Sequence, residues 1–145
     1  MRGADITRRT IDAAATLARV GAPADGAVLL FLGTVREEND GQPVRGMRYD
    51  AFDAMASDVL RSIVEEAGER FGLEHVYAVH RAGELAIGEV SVAIAVSSPH
   101  REQAYDASRY VIEQIKQRLP VWKQEHYIGG DSRWLEGHIP RVGEG

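Results

Sequence analysis

Residues 90–127, VSVAIAVSSPHREQAYDASRYVIEQIKQRLPVWKQEHY, decide the fold. Residues 90–96 (VSVAIAV) form a short unbroken run of β-branched and small apolar residues, the pattern of a strand. Ser98-Pro99 then opens a helix, with serine suited to the N-cap and proline to the first helical position. Ala104, Ala107, Val111, Ile115 and Leu119 recur at helical spacing, so the helix runs to about Leu119 and Pro120 stops it. Residues 121–127 read as a strand and 132–136 as another, joined by Gly129-Gly130-Asp131.

The same reading extends to the N-terminal side. Residues 4–10 are β-compatible, and 11–20 (IDAAATLARV) read as a helix closed by Gly21 and Pro23. Residues 26–35 (GAVLLFLGTV) are mostly apolar and predict a strand buried on both faces. A polar loop at 37–43, with turn chemistry at Asn39-Asp40-Gly41, leads to a strand at 44–51. Residues 54–71 predict an amphipathic helix with Met55, Val59, Ile63 and Ala67 on its apolar face, ended by Gly72. A strand at 75–81 and a loop at 84–88 complete the order β-α-β-β-α-β-β-α-β-β. Hairpin-length links between strands indicate an α+β fold with a mainly antiparallel or mixed sheet, not a doubly wound one. The glycines form neither a dinucleotide fingerprint nor a P-loop.

The chain has 145 residues, 44% of them hydrophobic, enough for one domain spanning 1–145 with a loose tail from 137 to 145. Seventeen basic against 22 acidic residues leave a net charge of −5, which argues against non-specific nucleic-acid binding. No run of ~18 apolar residues suggests a membrane span. Met1-Arg2-Gly3-Ala4-Asp5 lacks the apolar core of a signal peptide, so a cytoplasmic location is expected. There is no cysteine. The chain therefore cannot carry a persulfide, thioester or thiolate metal site on its own side chains, and any sulfur it handles must arrive on another molecule.

Four features could carry chemistry. Pro99-His100-Arg101 opens a helix directly after a strand, where free N–H groups, the helix dipole and a guanidinium suit an anion such as phosphate. Arg36 follows an apolar strand at a strand-to-loop junction, a common place for binding residues. Fifteen of the 17 basic residues are arginine, and the two lysines, Lys116 and Lys123, flank Pro120. Lysine can give up its proton where arginine effectively cannot, and a dry pocket or a second nearby ammonium group favours that loss. Glu125 lies on the same strand face as Lys123, placed either to orient it by hydrogen bonding or to pair with it at the surface. His75, His80, His126 and His138 have no metal-ligand spacing, so no metal site is expected and these histidines read as structural or surface groups. Arg101 and Lys116 lie 15 residues apart, about 22 Å along one helix, too far to grip one small molecule. A homodimer whose sites combine residues of both copies is one expectation; separate sites are the other.

Four stretches together resemble the large, catalytic subunit of molybdopterin synthase. They are residues 26–36 (GAVLLFLGTVR), 81–85 (RAGEL), 98–101 (SPHR) and 116–125 (KQRLPVWKQE), and the likeness covers about 26–136. Pro99 stands where alanine is common, and Thr34 where lysine is frequent. The resemblance implies an α/β-hammerhead fold with an additional small antiparallel β-subdomain. It implies a heterotetramer, with a homodimer of this subunit at the core and a small ubiquitin-like sulfur carrier ending in Gly-Gly at each end. The carrier's C-terminal thiocarboxylate would supply sulfur twice to cyclic pyranopterin monophosphate, forming the dithiolene of molybdopterin without a resident cofactor. By position, Lys123 would be the principal acid/base, supported by Gln124 and Glu125. Lys116 would meet the carrier's terminal glycine and the substrate. Arg36, with backbone of Thr34 and Val35, would contact substrate, and His100 and Arg101 would bind its phosphate from the neighbouring subunit. Two alternatives are a non-catalytic α+β domain that holds a phosphorylated metabolite and a Schiff-base enzyme built on Lys123.

Overall fold

A computed structural model of the chain describes residues 1–39, 41–51, 53–128 and 132–135. The turn at 129–131, the tail from 136 and His138 lie outside the described residues. In chain order the elements are β1 (Arg2–Thr7), α1 (Ala13–Leu17), β2 (Ala27–Thr34), β3 (Glu38–Asn39), β4 (Gln42–Ala51) and α2 (Asp53–Phe71). They continue with β5 (His75–Arg81), β6 (Gly83–Ala86), β7 (Val90–Ser98), α3 (Arg101–Arg118), β8 (Val121–Tyr127) and β9 (Ser132–Leu135). The chain is α+β, as expected, with a mixed first sheet and an antiparallel second one.

The first sheet has the order β1-β5-β7-β2, with only β1 and β5 parallel. One face packs on α2 and α3, where Leu60, Ile63, Val64, Val76, Ile94, Val96, Val111 and Ile115 are buried together. Alternation along the strands turns Tyr77, Val79 and Ala93 to the opposite face, against Ile11. The second sheet runs β3-β4-β8-β9, with β6 paired to β4. Leu119 and Pro120 lead from α3 straight into β8, and Ala82 leads from β5 into β6, so the two sheets share connecting chain at one end.

Several expectations are corrected. Residues 26–35 form the edge of their sheet, not a strand buried on both faces: Val28, Phe31 and Leu32 are exposed. Among the described residues β2 pairs only with β7, and α1, five residues long rather than ten, leaves Val28 and Leu32 uncovered on their face. Its N-cap is Asp12, whose carboxylate accepts from the Ala15 N–H at 3.1 Å. Met55 is 56% exposed, and α2 buries Ala56, Leu60, Ile63, Val64 and Ala67 instead. The loops at 37–43 and 84–88 contain strands β3 and β6; Gly41, at φ +75°, helps β3 fold back on β4. α3 begins at Arg101, with His100 as its N-cap and no side-chain cap bond. Ser98 does not cap it: its hydroxyl donates to the His100 carbonyl. Among the described residues, no helix is long and apolar enough to cross a membrane.

Candidate active site

The last turns of α3 are anchored to α2. Arg118 donates to both oxygens of Glu66 at 2.7 and 2.8 Å, and the Tyr110 hydroxyl donates to the same carboxylate at 2.9 Å. Those bonds, Arg118 foremost, hold the Glu66 carboxyl below its usual range. Two residues before Arg118, Lys116 stands at the rim of a cavity of about 330 Å³. Leu119 and Pro120 turn the chain, and Lys123 enters the same cavity from β8, opposite Tyr49 on β4. The remaining walls come from the end of β2, from β3, from His80 on β5, and from Ser91 and Val92 on β7.

Both lysines, Arg36 and Glu125 therefore meet in one cleft, as their spacing suggested. Lys123 is half-buried, and this burial, above all, holds its ammonium group below the ordinary lysine value. The Glu125 carboxylate opposes that shift, while the charges of Lys116 and Arg36 reinforce it. Glu125 neither lies at the surface nor forms an ion pair with Lys123 among the described residues. It is 1% exposed, and its Oε1 accepts from the Asn39 side-chain amide at 2.7 Å. Its Oε2 is buried with no hydrogen-bond partner among the described residues.

Thr34, Val35 and Arg36 line the same cavity. The Val35 backbone also ties this strand end to the turn before β7: its N–H donates to the Glu89 carbonyl at 3.0 Å and its carbonyl accepts from the Gly88 N–H at 2.8 Å. Gln124 lies outside the cavity lining, because alternation along β8 turns it away from Lys123 and Glu125. His100 and Arg101 are exposed at the far end of α3 and are not part of this cavity. A single continuous helix, Arg101–Arg118, keeps them about 22 Å from Lys116. Among the described residues, no cluster of three or more His, Asp or Glu is placed to hold a metal ion.

Sequence reading missed Asn39, Tyr49, His80 and Ser91. His80, read as structural or surface, is 2% exposed and lines the cavity. Its Nδ1 lies 2.7 Å from the Arg81 carbonyl, which can only accept, so Nδ1 carries the proton. Burial pushes its pKa down to about 4, leaving a neutral imidazole. The Tyr49 ring meets it edge-on at 5.1 Å, and burial raises the Tyr49 phenol. The available signal was the even spacing of Val76, Ala78 and His80 in HVYAVHR. Arg81, within the RAGEL stretch, is a buried brace: it donates to Glu89 at 3.0 Å and to the Glu84 carbonyl at 3.0 Å.

The MoaE protein family matches residues 6–118. A molybdopterin synthase catalytic subunit from Synechococcus elongatus is 45% identical over 114 residues, covering 78% of this chain and 69% of its own length. One from Emericella nidulans is 39% identical over 132 residues, covering 91% of this chain and 68% of its own. A solved structure of molybdopterin synthase from Staphylococcus aureus superposes with a TM-score of 0.85 at 37% identity, covering 90% of this chain and 95% of the other.

Proposed function

Because the chain belongs to the MoaE protein family, we propose that its cavity transfers sulfur from the C-terminal thiocarboxylate of a small ubiquitin-like partner to cyclic pyranopterin monophosphate. The function is that of a molybdopterin synthase catalytic subunit, a sulfur-transferring enzyme of molybdenum cofactor biosynthesis. The observation that carries the finer reading is the meeting of both lysines in one cleft, with the Lys123 amine held below its ordinary pKa.

An amine held below its ordinary value gives up its proton more readily than an ordinary lysine, at roughly 10.4. Lys123 serves as the acid/base of each transfer. Lys116, at the rim, meets the carrier's terminal glycine and neutralises charge there. Arg36 faces the anionic substrate from the end of β2. Glu125 lines the cavity beside Lys123 as a buried negative charge. Gln124 supports β8 from its other face and does not touch substrate. Thr34 and Val35 line the cavity beside Arg36, where their backbone meets the substrate.

His100 and Arg101 lie beyond reach of their own chain's cavity, so a second copy supplies them to the substrate phosphate. This requires a homodimer, and with one carrier per cavity the assembly is a heterotetramer. The sulfur arrives on the partner, so the reading needs no resident cofactor and agrees with a chain free of cysteine. A cytoplasmic location follows from its place in cofactor biosynthesis. Mixing the purified chain with a thiocarboxylated carrier and the cyclic pterin tests the proposal. Dithiolene product is expected; its absence with an active carrier overturns the reading.

A further inference from the structure

We propose that Asn39 is a positioning residue whose carboxamide ties Glu125 to Arg36 and holds the Glu125 carboxylate away from Lys123. Asn39 sits on the two-residue strand β3, in register with Gln42 of β4. Its Nδ2 donates to Glu125 Oε1 at 2.7 Å, and its Oδ1 accepts a longer bond from Arg36 Nη2 at 3.4 Å. Only an amide fills both roles here: a carboxylate cannot donate, and a hydroxyl is too short to span the pair. The partners also fix its orientation, since a flipped amide would set oxygen against carboxylate and N–H against guanidinium.

A buried carboxylate needs compensation. Asn39 supplies one donor to Glu125, and among the described residues Oε2 has none. Among the described residues, the charged and titratable groups that line the cavity with Lys123 are Glu125 on its own strand, Tyr49 on β4, neutral His80 on β5, Lys116 on α3, Arg36 after β2 and Glu38 on β3, and on β9 Arg133 is the register partner of Glu125. Of the cations, Lys123 shares a strand face with Glu125. Without the Asn39 donor, the carboxylate turns to that ammonium and pairs with it. The amine then holds its proton more tightly. The ligand class at this cavity is an anion, drawn by Arg36 and Lys116. The structural part of the proposal stands apart from the sulfur-transfer reading; its effect on turnover rests on that reading.

Two lysines make the test direct. Protein labelled with carbon-13 at the lysine ε-carbon gives two titrating signals, assigned with Lys116→Arg. In Asn39→Ala the Lys123 midpoint rises toward the ordinary lysine value by ~0.5 pH unit or more, while that of Lys116 stays in place. Measured against Glu125→Gln alone, adding Asn39→Ala to that variant gives no rise. If Asn39→Ala does not fold, Asn39→Leu, close to asparagine in size, is used with the same expectation. An unmoved Lys123 midpoint in a folded variant overturns the proposal, as does a rise that survives Glu125→Gln. With carrier and pterin present, Asn39→Ala lowers kcat about tenfold, more than it changes KM. The titration needs neither carrier nor pterin, so failure of wild-type turnover leaves this result standing and sinks only the sulfur-transfer reading.

Discussion

The two ends of α3 carry cations in opposite surroundings. At its start, His100 and Arg101 are exposed, and no side chain caps the helix. At its end, Lys116 stands on a walled cavity, fixed there by the Arg118–Glu66 pair and faced by the half-buried Lys123. One end presents its cations to solvent; the other holds its cation against a cavity wall. The difference teaches that one rigid helix sets two cationic clusters in unlike surroundings a fixed distance apart, which the proposed function joins through a second copy of the chain. The largest effect that would break this comparison concerns the walled end. Lys123→Ala should lower turnover by ~10²–10⁴-fold while leaving the far-ultraviolet circular dichroism unchanged. Near-normal turnover would remove Lys123 from the chemistry.

The link between the two ends is tested by mixing. Lys123→Ala and Arg101→Ala chains, each inactive at low substrate, should recover about one quarter of wild-type activity after random re-association. That figure follows if half of the dimers are mixed and each mixed dimer keeps one intact site. No recovery in verified mixed dimers places each site within a single chain. At the exposed end alone, Arg101→Ala should raise KM for the pterin about 10–100-fold with a smaller change in kcat, the loss of one charge-assisted contact. A kcat loss without a KM change would assign Arg101 a different task.

The smallest effect sharpens the description of the cavity floor. His80 is neutral when folded, with a pKa near 4, against about 6.5 when unfolded. As pH falls through that window the unfolded chain takes up a proton that the folded chain refuses, so stability declines. Between about pH 7.5 and 5 this contributes a loss of about 2 kcal/mol. Urea unfolding at the two pH values should show that loss in the wild type, and a shallower one in His80→Gln. Equal slopes would mean that His80 is accessible to protons in the folded state.

The long elements were legible because their spacing is strong: 75–81 coincides with β5, and the helix ending at Pro120 is in place. β3 and β6 were hidden because two- and four-residue strands have no periodicity to read; their pairing with β4 creates them. The edge position of β2 was hidden for a related reason, since an apolar run does not reveal how short the helix over it will be. At the site, Lys116, Lys123 and Glu125 declared themselves by residue type around one proline. Arg36 arrived with the end of a strand. Asn39, Tyr49 and His80 came from strands whose register the sequence does not state. Gln124 was assigned with its neighbours, but the alternation of β8 turns it to the other face.

The helix Arg101–Arg118 acts as a ruler between His100-Arg101 and Lys116. One residue inserted near its middle would swing His100 and Arg101 by about 100° around the axis and shift them by about 1.5 Å, with Lys116 left in place.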